Sequence, residues 1–279
     1  MLEQLNRYAA EIEAALDRYL PASSDSRARI RDAMRYSLLS GGKRIRSVLT
    51  LEFCRVCGRD YSIAMPLACA LEMIHCYSLI HDDLPCMDND TMRRGKPTNH
   101  VVYGEDFAVL AGDGLLTHAF CTALSADALT PEQTLAAGRE LAAAAGLNGM
   151  LGGQAVDVEN DGRLASFDAL CEMYGMKTGA LIRAAGRLGC IAAGAGPDEK
   201  LAADRYTSAV GLAFQIRDDL LDLEKDRQIG KTTYPVLCGE EKSENRIAEL
   251  TEEAADAVSI FPDAGFLTSL ARYLAGRNY

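Results

Sequence analysis

Two clusters of aspartates are the residues of this chain best suited to chemistry. The first is Asp82-Asp83-Leu84-Pro85-Cys86-Met87-Asp88 and the second is Asp218-Asp219-Leu220-Leu221-Asp222. Each follows a strongly apolar segment with helical periodicity. Carboxylates packed this densely repel one another, so cations must neutralise them, and the hard, oxygen-seeking Mg²⁺ is the best candidate. The pattern therefore indicates chemistry on a phosphate-bearing substrate.

The helices that carry the clusters dictate how the carboxylates are placed. Asp218 and Asp222 are four residues apart, which puts them on one helix face about one turn apart. Pro85 forbids a regular helix through the first cluster, so Asp88 must reach back to Asp82 through a distorted turn. Both clusters lie at predicted helix C-termini, where the macrodipole disfavours negative charge and strengthens the case for a bound cation.

Two basic segments accompany the first cluster. Residues 93–98 follow it at once, and their guanidinium groups could hold diphosphate oxygens bidentately. Residues 41–46 form a glycine-loosened turn that suits a second anion. Lys43 and Arg46 can share a face there, whereas Arg44 points elsewhere and is interpreted as structural.

Two other groups have ordinary structural explanations. His75 lies two helical turns before Asp82 on the same face, but a lone helical histidine is more often a satisfied core residue. Cys54 and Cys57 form a CxxC pair without a second pair at zinc spacing. Nine cysteines spread along the chain indicate reduced core residues in a cytosolic enzyme.

The composition predicts one domain, residues 1–279, in the cytoplasm. No linker, low-complexity tract or abrupt change of charge marks a domain boundary. The net charge of −11, without a basic stripe, argues against nucleic acid and anionic membrane surfaces as partners. The N-terminal segment lacks the order of a secretory signal, and no stretch is expected to approach the roughly 20 apolar residues of a membrane span.

Apolar residues recur at helical spacing almost throughout, while strict alternation is scarce, so the fold is predicted to be nearly all α. Pro21 ends the first helix, and Ser24-Asp25 caps the next. The predicted helices cover about residues 2–19, 24–57 with a break at Gly41-Gly42, 62–83, 105–127, 131–150, 166–194, 198–224, 243–258 and 263–275.

Taken in order, the motifs of this chain closely resemble those of the trans-prenyltransferases, or polyprenyl synthases, and specifically bacterial farnesyl diphosphate synthases. The resemblance implies an all-α, single-domain, isoprenoid-synthase-type helical bundle around a central apolar cavity, assembled as a homodimer. It is carried by residues 41–46, His75, 77–90, 93–98, 152–154 with Asp157, 177–179, 214–215, 218–222 and 230–235.

The resemblance also implies a role for each motif. About three Mg²⁺ ions would grip the allylic diphosphate when substrate is bound. Their ligands would be Asp82, Asp88 and Asp218, with Asp83, Asp219 and Asp222 as further or outer ligands. The substrate-binding residues would be Lys43, Arg46, His75 and Arg94 for isopentenyl diphosphate, Arg93 for the allylic diphosphate, Lys231, and, between the two substrates, Lys177, Thr178 and Gln215.

The implied reaction ionises dimethylallyl or geranyl diphosphate, joins the cation to isopentenyl diphosphate and loses a proton. Lys177, Thr178 and Gln215 would hold the leaving diphosphate and stabilise the cation. Tyr77 and Ser78 lie one turn below Asp82, where they would meet a growing chain. In the family an aromatic residue there goes with short products, so (2E,6E)-farnesyl diphosphate (C15) is predicted.

The chain departs from the family pattern at two places. Ser47 replaces a usual proline, which is expected to loosen the turn before it slightly. The segment between Asp222 and Gly230 is shorter than usual and lacks one diphosphate-contacting lysine. Lys225 or Arg227 could substitute for that lysine, or the leaving group could be bound less firmly.

Three alternatives stay open beside this interpretation. A geranylgeranyl diphosphate synthase (C20) would share every motif. A non-catalytic subunit of a hetero-oligomeric prenyl synthase would keep the fold, although it would have no reason to keep six mutually repelling carboxylates. A class I terpene cyclase would also use an aspartate-rich cluster with Mg²⁺, but its second metal motif is not found, with Asn160-Asp161 the nearest start.

Overall fold

The computed structural model of the chain describes residues 1–164 and 166–277, which are almost entirely helical. The all-α class predicted from the sequence is thereby confirmed. The helices are α1 Leu2–Tyr19, α2 Ala28–Leu38, α3 Ile45–Val56, α4 Met65–Asp82, α5 Asn99–Tyr103, α6 Glu105–Leu124, α7 Pro131–Ala145, α8 Met150–Glu159, α9 Phe167–Lys177, α10 Gly179–Ala193, α11 Pro197–Leu221, α12 Leu223–Ile229, α13 Tyr234–Cys238, α14 Glu240–Ala257 and α15 Gly265–Ala275. A 3₁₀ turn, Tyr61–Ala64, leads into α4, and a two-stranded antiparallel hairpin joins β1 Met92–Arg93 to β2 Lys96–Pro97.

The described residues form two compact units. The N-terminal unit contains Leu2–Leu51 and Tyr61–Gly138, and the C-terminal unit contains Met1, Glu52–Asp60 and the chain from Arg139 onward. The single-domain organisation inferred from composition stays a prediction.

Helix α4 is the core of the N-terminal unit. Its residues are buried on nearly all sides, and it packs along α6. The two helices come very close where Gly112 of α6 meets the ring of His81, because a Cβ at Gly112 would lie 2.1 Å from His81 Nε2. The same nitrogen lies 3.1 Å from the Val109 carbonyl. This contact places the end of α4, and with it the first aspartate cluster.

Helix α11 is the core of the C-terminal unit and runs for 25 residues. It packs against α10 and α14. Pro197 opens it, and the Glu199 carboxylate accepts a hydrogen bond from the Gly196 N–H at 2.7 Å. Tyr206, fully buried, donates to the Leu267 carbonyl at 2.8 Å. These contacts hold α11 in place up to the second aspartate cluster at its end.

Several predicted helices match the structure closely, and one is interrupted. Leu2–Tyr19 has the bounds expected, and the break at Gly41-Gly42 is present. The helix expected over 166–194 is divided at Thr178 into α9 and α10. The short helices α5, α8, α12 and α13 and the hairpin were not predicted.

The expectation that no stretch approaches a membrane span was wrong by length and composition. Tyr61–Asp82 has a mean hydropathy of 1.6 over its most apolar window, and Glu105–Leu124 reaches 1.4. Two-thirds of that window in Tyr61–Asp82 is buried inside the protein, as in a core helix. Two such helices are therefore weak grounds for a membrane assignment.

Candidate active site

The first aspartate cluster begins where α4 ends. Asp82 is the last helical residue, and the Asp88 N–H donates to its carbonyl at 2.9 Å. Asn89 has a φ of +54°, in the left-handed region, which closes this turn. The return of Asp88 toward Asp82 that Pro85 requires is therefore present.

Asp83 is held by Arg93. The Arg93 Nε donates to the two Asp83 carboxylate oxygens at 2.8 and 2.9 Å, and its Nη2 lies 2.7 Å from Oδ1. The hairpin positions Arg93, with Arg94 and Gly95 at its tip both at positive φ as a tight hairpin turn requires. Burial raises the pKa of Asp83 above its ordinary value, against the opposing effect of Arg93. Asp83 and Arg93 thus neutralise each other, while Asp82 is half-buried and Asp88 exposed.

The predicted binding residues for isopentenyl diphosphate come together in the N-terminal unit. Arg46 Nη1 lies 3.3 Å from His75 Nε2. The Arg94 guanidinium donates to the Gly41 carbonyl, and a Cβ on Gly42 would collide with it. His75, Arg93, Arg94 and Lys96 line one cavity. Lys43 is exposed on the same turn. This unit therefore offers several cations around one histidine.

His75 is neutral in this setting. Burial, and then the charges of Arg46 and Arg94, hold the pKa of His75 well below its ordinary value. Because a guanidinium can only donate, Nε2 is the acceptor toward Arg46, and the ring proton lies on Nδ1. His75 thus positions Arg46 without adding to the positive charge.

Arg44 is structural, as the spacing of the turn predicted. Its side chain is buried, with Nε 2.7 Å from Glu13 Oε1, Nη1 2.8 Å from Glu72 Oε1 and Nη2 2.6 Å from the Leu38 carbonyl. The expected loosening at Ser47 stays a prediction, but the serine hydroxyl makes contacts that a proline could not. Ser47 is buried, and its hydroxyl lies 2.9 Å from the Ala68 carbonyl and 3.0 Å from Glu72 Oε2. The serine fastens α3 to α4.

In the C-terminal unit Thr178 is hydrogen-bonded to Gln215, whereas Lys177 is paired with Asp157. The interruption between α9 and α10 turns Thr178 so that its hydroxyl donates to Gln215 Oε1 at 2.7 Å. Lys177 Nζ lies 2.5 Å from Asp157 Oδ2 on α8. Close packing of α8 on Lys177 requires Gly153, where a Cβ would lie 2.3 Å from the Lys177 nitrogen.

Asp219 lies at the centre of the second cluster and is buried. Its carboxylate accepts hydrogen bonds from Tyr174 Oη at 2.5 Å and Gln215 Nε2 at 3.0 Å, and the Tyr234 N–H lies 3.4 Å away. Burial raises the pKa of Asp219 to about 6, although these hydrogen bonds oppose the shift. Sequence reasoning missed Tyr174. Its position one turn before Lys177 was the signal available, since residues three apart share a helix face.

The other two aspartates of this cluster are more accessible. Asp222 is exposed, and the Asp218 side chain is 39% exposed. The Arg277 guanidinium donates to Asp218 Oδ1. Arg277 is a second residue that sequence reasoning missed, because it lies 59 positions away in the chain.

Helix α12 occupies the short segment after Asp222. Arg227 contacts Glu224 and Glu240 at 3.1 and 3.3 Å, so it is engaged by acidic side chains, whereas Lys225 is exposed. The Lys231 N–H donates to the Asp226 carbonyl at 2.9 Å. Of the two proposed substitutes for the missing lysine, the structure favours Lys225.

The donor set fits a hard cation that arrives with its own oxygens. Both clusters consist of carboxylates, and the buried Asp157 Oδ1 has no hydrogen-bond partner. Within residues 1–164 and 166–277, no three His, Cys, Asp or Glu side chains converge to hold an ion by themselves. Mg²⁺ is usually bound by one or two carboxylates, with water and substrate phosphates completing its shell. Asp82, Asp88, Asp218 and Asp222 are the accessible candidates for such ligands.

Comparison with known proteins accounts for these motifs. A sequence model of the polyprenyl synthetase family matches residues 27–252. The farnesyl diphosphate synthase of Geobacillus stearothermophilus is 43% identical over 90% of this chain and 88% of its own. The large subunit 1 of the heterodimeric geranylgeranyl pyrophosphate synthase of Arabidopsis thaliana is 44% identical over 96% of this chain and 76% of its own.

Solved structures of prenyl synthases also match this chain. The crystal structure of an FPP/GFPP synthase from Zymomonas mobilis matches with a TM-score of 0.90 and 36% identity over 97% of both chains. A geranyltransferase from Legionella pneumophila matches with a TM-score of 0.90 and 34% identity, covering 97% of this chain and 95% of its own. The chain therefore belongs to the polyprenyl synthetase family, a family of prenyltransferases with the all-α isoprenoid synthase fold.

Proposed function

We propose that this prenyltransferase condenses isopentenyl diphosphate with dimethylallyl or geranyl diphosphate to form (2E,6E)-farnesyl diphosphate and pyrophosphate. The observation that carries the proposal is the placement of Tyr77 beneath the first aspartate cluster. Tyr77 is 8% exposed, and both burial and the charge of Asp82 raise the pKa of its phenol. The phenol therefore lies close to Asp82, the carboxylate near which the diphosphate of a growing chain would be held.

In the N-terminal unit, cations bind the diphosphate of isopentenyl diphosphate. Arg94, cradled by Gly41 and Gly42, and Arg46, positioned by neutral His75, supply fixed guanidinium groups. Lys43 adds an exposed ammonium. These groups neutralise the diphosphate and hold the nucleophilic double bond in place.

The C-terminal unit supplies the groups that receive the leaving diphosphate. Lys177, whose ammonium is paired with Asp157, and Lys231 are the cations proposed for this role. The Thr178 hydroxyl and Gln215 oxygen present dipoles to the allylic cation. When bound at the accessible carboxylates, Mg²⁺ would act as a Lewis acid on the departing diphosphate. Released pyrophosphate takes the final proton, so no side-chain base is needed.

Product length is determined in this proposal by the Tyr77 ring. The Tyr77 ring contacts the His81 ring edge-on, with centroids 5.8 Å apart, and this contact favours one orientation of the phenol. Ser78 does not fill the same space, because its hydroxyl bonds back to the His75 carbonyl at 2.9 Å. Of the two residues predicted to limit the product, Tyr77 is thus the effective one.

We further propose a cytoplasmic homodimer. Exposed apolar side chains along α5 and α6 suit burial against a second copy: Val101, Val102, Val109, Leu110 and Leu124. The cysteines of the chain are free thiols, in keeping with a reducing compartment. Sedimentation of the purified chain tests the dimer, since Leu110→Glu is expected to yield monomers.

Product analysis tests the proposed activity. The purified chain, given isopentenyl and dimethylallyl diphosphates with Mg²⁺, is expected to make the C15 product. Tyr77→Ala should lengthen the product, and the matched control Tyr77→Phe should not. If the native chain makes mainly the C20 product, the geranylgeranyl alternative replaces this one.

The non-catalytic alternative has one point in its favour, the relative named as the subunit of a heterodimeric synthase. The activity of the isolated chain distinguishes this alternative from the proposed enzyme. Asp82→Ala should abolish condensation while leaving the fold intact by circular dichroism. An inactive native chain that gains activity only with a partner would support the subunit role.

A further inference from the structure

Arg277 follows α15 directly and packs on the last turns of α11. Its side chain is 10% exposed. Nη2 donates to the Phe214 carbonyl at 3.1 Å and to Asp218 Oδ1, while the guanidinium carbon lies 3.6 Å from the centre of the Phe214 ring. One cation thus contacts a ring, a carbonyl and a carboxylate within one helical turn.

The contact with Asp218 matters because of where that carboxylate lies. It stands near the C-terminal end of α11, where the helix dipole disfavours negative charge, and beside Asp219 and Asp222. Asp219 is stabilised by its own hydrogen bonds. Arg277 supplies the positive charge that Asp218 needs when no metal is bound.

A guanidinium and a divalent cation compete for the same carboxylate. Mg²⁺ binds carboxylate oxygen at about 2 Å and demands near-octahedral geometry, so the Arg277 guanidinium would crowd its shell. The two positive charges would also repel each other at short range. Arg277 must therefore leave Oδ1, the oxygen that it contacts, before a metal ion can bind Asp218 through that oxygen.

We propose that Arg277 is a displaceable counter-ion of Asp218. Its guanidinium pairs with this carboxylate when no metal is bound, and Mg²⁺ with diphosphate displaces it. The inference rests on the proposed role of the second aspartate cluster. It makes the Arg277 side chain respond to the metal and gives Arg277 a positioning role rather than a catalytic one.

A fluorescence experiment tests the displacement itself. The chain has no tryptophan, so Phe214→Trp places a single tryptophan under the guanidinium, and its emission can be excited selectively over that of the tyrosines. Titration with Mg²⁺ and inorganic pyrophosphate should change its emission as Arg277 withdraws. In the Phe214→Trp/Arg277→Gln double variant, the change should be absent. An equal change in both proteins would overturn the proposal.

Calorimetry on the otherwise native chain tests the competition. Arg277→Ala should bind Mg²⁺ with pyrophosphate about fivefold more tightly, the effect of an ion pair of about 1 kcal/mol that no longer has to be broken. Arg277→Lys should fall between the two, since it keeps the charge without the fork. The control Arg272→Ala removes an exposed arginine of α15 that lies 3.7 Å from Glu252, and should bind as the native chain does.

The outcomes separate the two proposals. Equal or weaker binding by Arg277→Ala, in a protein that melts like the native one, overturns the displacement but leaves the condensation reaction standing. If the native chain binds no Mg²⁺ with pyrophosphate, and Asp218→Ala gives the same result, both the displacement and the proposed function are overturned.

Discussion

Replacing Glu72 should destabilise this protein more than most single substitutions, because it leaves Arg44 buried without its main counter-charge. The Arg44 and Glu72 side chains are 1% and 4% exposed, and their nearest charged atoms are 2.8 Å apart. Arg44 also has a φ of +51°, a left-handed conformation that costs a non-glycine residue about 1–2 kcal/mol. The ion pair holds the residue in this conformation.

The expected loss follows from the partners that remain. In Glu72→Leu, Arg44 keeps Glu13, which is 32% exposed, and the Leu38 carbonyl. Ser47 keeps the Ala68 carbonyl, so its contribution to the loss is small. Removal of one member of a buried pair costs about 3–5 kcal/mol, and we expect the free energy of unfolding to fall by that amount.

A double-mutant cycle gives the sharper test. Arg44→Met/Glu72→Leu removes both charges together, so it should lie within about 2 kcal/mol of the native chain and be more stable than Glu72→Leu alone. Arg7→Met breaks an exposed pair with Glu11 and should cost less than about 1 kcal/mol.

Urea unfolding followed by far-ultraviolet circular dichroism measures the native chain, Glu72→Leu, Arg44→Met, the double variant and the control Arg7→Met. The KM for isopentenyl diphosphate should rise in Glu72→Leu, because the turn that presents the binding cations loses its anchor. A loss below about 1 kcal/mol in Glu72→Leu, or additive losses in the double variant, would refute the reasoning.

Three further predictions follow from single contacts. The pKa of His75 lies well below its ordinary value of 6.5 in the folded protein, so at about pH 6 the unfolded chain binds a proton that the folded protein does not. The free energy of unfolding should therefore fall as the pH drops below about 6.5. His75→Gln should flatten this slope, and an unchanged slope would contradict the pKa assignment. Tyr174→Phe removes a donor to Asp219 and should cost about 1–2 kcal/mol and lower kcat, whereas equal melting and turnover would show the hydrogen bond to be unimportant. Ser47→Ala should cost about 1 kcal/mol in urea unfolding, and a more stable variant would mean that the serine does not fasten α3 to α4.

The helices were predictable because apolar periodicity and proline breaks are local. Leu2–Tyr19 matched in its bounds for that reason. The division at Thr178 was not predictable from local pattern, since the apolar spacing continues across it. Its hydroxyl bonds to Gln215, 37 residues away, and that tertiary contact accompanies the end of α9.

The candidate site shows the same limit. Spacing alone placed Asp88 near Asp82 and assigned Arg44 a structural role, and the family motifs named most of the remaining residues. Tyr174 and Arg277 escaped because their partners, Asp219 and Asp218, lie 45 and 59 positions away. The effect of Ser47 was inferred only from the loss of a proline, so the contacts of its hydroxyl with the Ala68 carbonyl and the Glu72 carboxylate were not foreseen.

The argument from charge repulsion in the sequence assumed that all six carboxylates need a metal ion. In the structure the aspartates within each cluster have different roles. The second aspartate of each motif is buried and neutralised by the protein, Asp83 by Arg93 and Asp219 by hydrogen bonds from its own unit. The outer aspartates stay accessible at the helix end. The inner carboxylate of each cluster fixes the backbone and leaves the outer carboxylates accessible, although Asp218 is paired with Arg277. The intact clusters are therefore partly architectural, and only the outer aspartates are direct grounds for the proposed metal chemistry.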